Sequence, residues 1–275
     1  MADMPAIEPM HQFMIHKIWD GPVFHVGGLT VDMSITNSVA SMIAGGVLLV
    51  LFFALTARRE IVPNRAQAVV EALYNIVDRV LVTPIIGHEG KPYIPYLFTL
   101  FMVILTLNLM GVVLAIFNVA GLSLTFTVTS QLAITATLAV LTFFSVFFLG
   151  FIKHGPRFLG LFFPSGMGVI GAILMAPIEM ISYFVRPITL AMRLFGNMLG
   201  GHVVMSLFGS FVVALGIIGL SGGLASLAFV PSVLSFAMIV ALSGLELVVA
   251  VLQAFVFVAL ATVYLNEVVN FGHGH

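Results

Sequence analysis

The chain has 275 residues, of which 61% are hydrophobic and only 8% are charged. A typical soluble domain has about a quarter of its residues charged, so this chain has too little polar surface to cover a water-soluble globule. Ten basic and eleven acidic residues leave a formal charge of −1, which gives no reason to expect a nucleic-acid partner, and the sequence has no cysteine for a disulfide or a thiolate site.

The N-terminal segment, residues 1–36, has no basic stretch followed by an apolar core, so we expect no cleavable signal peptide. Val23–Val26 and Leu29–Val31 flank the pair Gly27 and Gly28, which predicts a small hairpin. Apolar residues at helical spacing precede this hairpin. Together the two patterns predict an interfacial segment that lies on a membrane surface.

Residues 37–275 are predicted to form a single transmembrane domain with five long apolar segments. About 20 helical residues cross a hydrocarbon core of about 30 Å. Between the first two segments, charged and apolar residues recur at helical spacing, which predicts an amphipathic helix on the surface. The expected spans are about 37–57, 95–118, 129–152, 167–220 and 231–266, and the amphipathic helix covers about 64–82.

The fourth segment, 167–220, is much longer than one perpendicular crossing requires. It must therefore be strongly tilted, broken, or laid against a protein surface. A serine and two glycines at 221–223 separate it from the last segment, for which Pro231 is a start signal. The predicted fold class is an all-α integral membrane protein with about five to six membrane helices and one amphipathic surface helix.

Basic residues are distributed unevenly between the two sides of the predicted membrane domain. One side holds Arg58, Arg59, Arg65, Arg79, Lys91, Lys153 and Arg157 in alternate loops. The other side has Lys17 as its only basic residue. Because cytoplasmic loops are enriched in Lys and Arg, we expect a multi-pass membrane protein with its N-terminus outside and its C-terminus in the cytoplasm.

Ionisable residues interrupt the last two apolar segments. They are Glu179, Arg186, Arg193, His202 and Glu246. A charge at the membrane centre costs at least about 2.5 to 3.5 kcal/mol, so these groups must face protein or water. The first three are seven residues apart and therefore share one helical stripe, with a drift of about 20° per step. His202 follows Arg193 by nine residues, about 180° around the helix, and so faces a different environment.

These residue types are suited to different tasks. An arginine does not release its proton in a protein, so Arg193 cannot relay protons but can act as a fixed positive gate. Glutamate and histidine exchange protons when their surroundings are suitable, which makes Glu179, His202 and Glu246 candidates for a proton path. On the last segment, Glu246, Gln253 and Tyr264 also lie near one face.

Residues 186–198 read Arg-Pro-Ile-Thr-Leu-Ala-Met-Arg-Leu-Phe-Gly-Asn-Met. This phrase closely resembles the signature of subunit a of F-type ATP synthases, in which the arginine before Leu-Phe-Gly-Asn is indispensable. Asn108-Leu109-Met110-Gly111 resembles a second family motif, and Glu179 and Gln253 stand at matching distances from Arg193. The resemblance covers about residues 37–270.

The resemblance implies a proton-translocating stator subunit with two offset half-channels that lead to and from carboxylates of a c-subunit ring, so that proton flow drives rotation and ATP synthesis. It also implies that the last two helices form a long tilted hairpin against that ring, which would explain the length of segment 167–220. The partners it implies are the c-subunit ring, b-type peripheral stalk subunits, the rest of the ATP synthase and membrane lipid, with protons as the transported ion. No cofactor, metal or nucleotide site is expected in this chain.

The resemblance assigns roles to individual residues. Arg193 would be the charge gate that faces the ring. Glu179, His202 and Glu246 would line the proton path. Supporting roles are expected for Asn197, Gln253, Ser182, Tyr183, Arg186 and Tyr264.

One pair of residues departs from the pattern common in bacterial members, in which an acid stands at the position of His202 and a histidine at that of Glu246. The same exchange is seen in mitochondrial members of the family. It predicts that the two side chains are spatial partners and suggests a relation to the mitochondrial lineage.

Two other classes of protein also place charges inside a membrane. A secondary transporter would bind a solute at the midplane between broken helices, but the two halves of this chain show no internal repeat. A purely structural anchor gains nothing from buried ionisable groups that each cost about 2.5 kcal/mol or more. Solute uptake by the chain alone would favour the transporter, and tolerance of Arg193 replacement would favour the anchor.

Overall fold

The computed structural model describes residues 17–26, 29–56, 64–116, 130–162, 169–220 and 223–271. In this part of the chain, five helices are long and apolar enough to cross a membrane. The prediction of an all-α integral membrane protein is therefore confirmed. The predicted turn at Gly27 and Gly28, the basic pair Arg58 and Arg59, and most of the linker at 221–223 lie outside the described residues.

Several of the described helices are followed by short π-helical or 3-10 helical segments. In chain order they are α1 (Asn37–Thr56), α2 (Arg65–Asn75), α3 (Thr83–Ile85), α4 (Ile94–Ile116), α5 (Leu132–His154), α6 (Val169–Leu220) and α7 (Phe229–Val269). A π-helical segment, Ile76–Val82, joins α2 to α3, and 3-10 helices occupy Gly87–Tyr93, Gly155–Phe162 and Gly223–Ala228. The division into an N-terminal segment and one transmembrane domain stays a prediction.

Among the described residues before α1 there are four short strands. Strand β2 (Val23–Val26) pairs antiparallel with β3 (Leu29–Asp32), so the predicted hairpin is present. Strand β1 (Lys17–Trp19) pairs with β4 (Ile35–Thr36). The ammonium group of Lys17 donates a hydrogen bond to Asp32 at 2.5 Å. This bond and those donated by Ser34 lower the pKa of Asp32 to about 2, which keeps its carboxylate ionised.

The predicted amphipathic helix is observed as α2 and the π-helical segment after it. Asn64 caps α2 by accepting a hydrogen bond from the backbone N–H of Arg65 at 2.7 Å. None of the residues in α2 is buried, whereas Val77, Leu81 and Val82 of the π-helical segment are buried. The chain then turns at Gly87, whose φ of 80° favours glycine.

The chain folds into two compact units, each of which contains parts of α6 and α7. The first unit contains the described parts of residues 1–47, 106–131 and 195–252. In this unit the Ser243 hydroxyl donates to the sulfur of Met205 at 3.4 Å, and the Ser232 hydroxyl donates to the Val212 carbonyl at 3.0 Å. Met205 of α6 contacts Ser243 of α7, whereas Val212, later on α6, contacts Ser232, earlier on α7. The two helices therefore form the predicted antiparallel hairpin. Its tilt stays a prediction.

The second unit contains the described parts of residues 48–105, 132–194 and 253–275. One of its buried clusters is aromatic and contains Phe143, Phe162 and Tyr183. At the end of α5, Lys153 donates to the carbonyl of Val269 at 3.1 Å, and the His154 ring contacts the carbonyl of Val268 at 2.8 Å. These basic residues satisfy carbonyls at the C-terminus of α7, where a helix has unpaired acceptors and negative partial charge.

The hairpin can be tested by a disulfide because the sequence contains no cysteine. A Cβ atom added to Gly216 would lie 3.7 Å from the Ser232 hydroxyl oxygen. A cysteine sulfur would replace that oxygen, one bond beyond the Cβ atom of residue 232, so the two Cβ atoms would lie near the separation of about 3.5–4.5 Å that a disulfide requires. We therefore expect Gly216→Cys/Ser232→Cys to cross-link under mild oxidation in membranes, as measured by mass spectrometry of the linked peptides.

The control pair is Gly209→Cys/Ser232→Cys. Gly209 lies on the same side of α6 as Gly216 but two turns earlier, about 10.5 Å along the helix axis. This pair should remain reduced. Equal cross-linking of the two pairs would contradict the observed register.

Candidate functional site

The ten predicted site residues fall into two groups that follow the two units. His202, Glu246 and Asn197 belong to the first unit. The other seven are in the second unit, namely Glu179, Ser182, Tyr183, Arg186, Arg193, Gln253 and Tyr264. Each group is described separately below.

His202 of α6 and Glu246 of α7 are in direct contact. The Nε2 atom of His202 lies 3.5 Å from the Oε1 atom of Glu246, and each side chain is 5% exposed. The prediction that the two are spatial partners is therefore confirmed. The contact joins a group that can release a proton to one that can accept it, inside the unit and away from its surface.

Gly201 allows this contact to form. A Cβ atom at this position would lie 2.6 Å from Oε1 of Glu246, closer than a real side chain permits. Within the described part of the chain, neither carboxylate oxygen of Glu246 has a hydrogen bond. A buried polar group without such a bond costs about 1–3 kcal/mol, so packing alone does not explain this glutamate.

Asn108 of α4 binds α7 one turn from Glu246. Its side-chain amide donates to the carbonyl of Ala250 at 3.2 Å, and the residue is fully buried. Val112, one turn later on α4, packs with Met198 and Ala250 in a buried cluster. Thus α4 packs against both helices of the hairpin beside the His202–Glu246 pair.

The second group is centred on Arg186, and we call it the arginine cluster: Glu179, Tyr183, Arg186, Tyr264 and Glu267. The Nη1 atom of Arg186 donates to both carboxylate oxygens of Glu267, at 2.7 and 2.6 Å. Its Nη2 atom lies 3.9 Å from Oε1 of Glu179. The guanidinium carbon is 5.3 Å from the centre of the Tyr183 ring and 5.4 Å from that of the Tyr264 ring.

Sequence reasoning missed Glu267. It lies 21 residues after Glu246 and 14 after Gln253, so a spacing of seven connects all three residues. The same rule that grouped Glu179, Arg186 and Arg193 on α6 could have found it. The predicted span ended at residue 266, and a charge just beyond a span usually indicates only the membrane interface.

The residues next to Arg186 alter the hydrogen bonding of the helix backbone. Pro187 has no backbone N–H, so the carbonyl four residues earlier, in Tyr183, lacks its usual helical partner. The hydroxyl of Thr189 donates to the carbonyl of Arg186 at 2.8 Å. The Tyr183 side chain is 2% exposed, and its hydroxyl has no hydrogen bond within the described part of the chain.

Arg193 is exposed on α6, unlike the buried pair in the first unit. Ser182 is also exposed, as are several large apolar side chains of the same part of the helix: Ile181, Val185, Ile188 and Met192. Asn197 is exposed one turn after Arg193, whereas Gln253 of α7 is 4% exposed. Thus α6 has a broad apolar surface that carries one permanent positive charge.

The sequence matches the family model described as ATP synthase A chain over residues 38–266. It is 39% identical over 267 residues to the ATP synthase subunit a of Nitrobacter hamburgensis, which covers 97% of this chain and 100% of the relative. Identity to the Rhizobium johnstonii protein of the same name is 42% over 270 residues, with 98% and 99% covered. The Azorhizobium caulinodans protein of that name is 41% identical over 271 residues, with 98% and 100% covered.

Gly201 and its neighbour Gly200 provide a matched test of the close contact with Glu246. An added Cβ at Gly200 meets nothing within 4 Å, whereas one at Gly201 would overlap the Glu246 carboxylate. Overpacking of this kind costs about 1–3 kcal/mol. We expect Gly201→Ala to lower the apparent melting temperature of the purified protein in detergent and Gly200→Ala to leave it unchanged or raised. An equal loss in both variants would contradict this geometry.

Proposed function

Since the chain belongs to the ATP synthase A chain family, and is thus a subunit a of the F-type ATP synthase, we propose that it conducts protons to and from a ring of c subunits through two offset half-channels. The observation that carries this proposal is the division of its ionisable residues into a buried His202–Glu246 pair and an exposed Arg193. The His202–Glu246 pair is suited to proton exchange, and Arg193 is suited to a gate. The c-subunit ring and b-type peripheral stalk subunits are the proposed partners.

The first half-channel passes the His202–Glu246 pair and leads in from outside. Both side chains exchange protons, and their atoms are 3.5 Å apart. The buried side chain of Asn108 in α4 donates to the carbonyl of Ala250, one turn after Glu246 on α7. It adds a polar group near the pair. A proton that passes this pair neutralises a carboxylate of a c subunit, which can then enter lipid.

Arg193 is the gate between the two half-channels. Its guanidinium keeps its charge under all physiological conditions, so it cannot pass a proton onward. It attracts a deprotonated c-subunit carboxylate and repels hydronium. The apolar side chains around it, such as Ile188 and Met192, suit close packing against the apolar helices of a ring.

The second half-channel leads from the ring to the cytoplasm past Glu179, Ser182 and Tyr183. The Glu179 side chain is 44% exposed, so its carboxylate is accessible from outside the packed interior. Ser182 is exposed on the same helix. A c-subunit carboxylate that has nearly completed a rotation releases its proton here and then meets Arg193 as an anion.

The separation of the half-channels is what makes proton flow useful. A membrane potential supplies about 2.3 kcal/mol per charge per 100 mV. A direct path from one half-channel to the other would dissipate this energy without rotation. The proposed membrane is the bacterial inner membrane, with the N-terminus outside and with Lys91, Lys153 and Arg157 on the cytoplasmic side.

Replacement of Arg193 tests the gate. We expect Arg193→Ala to abolish gradient-driven ATP synthesis in vesicles that contain the assembled complex, while passive proton permeability is retained or increased, because the charge that separates the half-channels is gone. Met192→Ala, which removes an exposed apolar side chain at the adjacent position, is the control and should keep most of the synthesis. Normal synthesis by Arg193→Ala would refute the gate.

Exchange of the buried pair tests the first half-channel. We expect His202→Glu and Glu246→His each to reduce ATP synthesis and ATP-driven proton pumping severely, because each variant faces two groups of the same kind. The double variant should recover a substantial fraction of both activities, since it restores one acid and one imidazole in contact. A double variant no better than either single variant would contradict a shared role in proton transfer.

A further inference from the structure

Arg186 lies near two carboxylates, those of Glu267 and Glu179, and hydrogen-bonds to only one of them. It donates to both oxygens of Glu267 at 2.6 and 2.7 Å, and its other terminal nitrogen is 3.9 Å from Glu179. Charge-assisted hydrogen bonds from a guanidinium are about 2.7–2.9 Å long. Arg186 is therefore bonded to Glu267, whereas Glu179 is near the guanidinium without a hydrogen bond to it.

Two tyrosine rings hold the guanidinium in this position. Tyr183 on α6 and Tyr264 on α7 are 2% and 8% exposed, and both rings are within the distance of about 6 Å at which a cation interacts with an aromatic face. The tyrosines also occupy the space beside the guanidinium. Glu267 is bound through Nη1 of Arg186, and Nη2 is the nitrogen nearest to Glu179.

Among the described residues of this unit, two basic side chains at the end of α5 have other partners. Lys153 of α5 donates to the carbonyl of Val269 and lies 3.5 Å from Glu89, and His154 contacts the carbonyl of Val268. The arginine cluster thus has one cation for two carboxylates. Glu267 is bonded to Arg186, and Glu179 has no hydrogen bond from that guanidinium.

We propose that Glu267 is a positioning residue for proton release: by binding Arg186, it keeps the carboxylate of Glu179 free to exchange protons. This inference rests on the proposed function, which assigns Glu179 to the second half-channel. Glu267 itself carries no proton in this scheme. It acts on Glu179 only through Arg186.

The consequence of losing Glu267 follows from the distances. Without that carboxylate, a partly buried guanidinium loses its counter-charge, and leaving such a charge unpaired is strongly unfavourable. Glu179 needs to approach by only about 1 Å to accept a charge-assisted hydrogen bond. Arg186 then binds Glu179 and occupies the oxygens that would otherwise accept and release protons.

The test compares Glu267→Gln with Arg186→Gln/Glu267→Gln in vesicles that contain the whole complex. We expect Glu267→Gln to reduce gradient-driven ATP synthesis per assembled complex by about tenfold or more, the scale of a charge-assisted hydrogen bond. The double variant should recover most of that loss, because it has no cation to capture Glu179. Glu267→Asp, which keeps the charge, should lose less activity than Glu267→Gln.

Glu89→Gln is the matched control, since it removes a carboxylate that contacts Lys153 in the same unit but not Arg186. It should behave like the wild type. If the Arg186–Glu267 pair only clamped α6 to α7, the double variant would be as inactive as Glu267→Gln, and that result would overturn the proposal. If Glu267→Gln fails to assemble, the double variant decides alone: activity supports the proposal and inactivity overturns it.

Glu179→Gln separates this inference from the proposed function. If that variant translocates protons normally, Glu179 is not in the path and the proposed second half-channel fails. If Glu179→Gln blocks translocation but the double variant is not restored, only the role of Glu267 fails.

Discussion

An ionisable side chain in an apolar membrane segment must find compensation, because leaving it unpaired in hydrocarbon costs several kilocalories per mole. In this chain the compensation comes from contacts between α6 and α7. His202 meets Glu246 in the first unit, and Arg186 meets Glu267 in the second. Each contact pairs a nitrogen group on α6 with a carboxylate on α7. The antiparallel hairpin is therefore both the scaffold of the site and the reason that its charges can remain inside a membrane protein.

The two pairs differ in what they can do. An imidazole can bind and release a proton, so the His202–Glu246 contact joins two groups whose protonation can change. The guanidinium of Arg186 cannot, so its contact with Glu267 is a fixed ion pair held between two aromatic rings. A proton path needs groups that can bind and release protons. A permanent ion pair instead keeps two helices in a fixed position. One hairpin supplies both because its helices are longer than a single crossing requires.

Much of this arrangement could be predicted from the sequence. The apolar runs indicated the long helices, the motif around Arg193 indicated the family, and the exchange of His202 and Glu246 indicated their contact. What could not be predicted depends on distances between residues far apart in the chain. Arg186 and Glu267 are 81 residues apart. No local sequence pattern shows that Arg186 hydrogen-bonds to Glu267 and not to Glu179. The need for glycine at position 201 is likewise visible only beside the Glu246 carboxylate.

Arg193 is exposed and also needs compensation for its charge in an apolar segment. Arg186 keeps its charge because α7 provides a carboxylate, and this contact makes it a fixed part of the hairpin. A guanidinium on an exposed apolar face instead gains most from a carboxylate that a neighbouring subunit carries to it. Such a contact must be able to form and break as that subunit moves, which a permanent partner within the chain would prevent. An arginine directed outward is thus suited to a moving partner, and an arginine directed inward is suited to a permanent one.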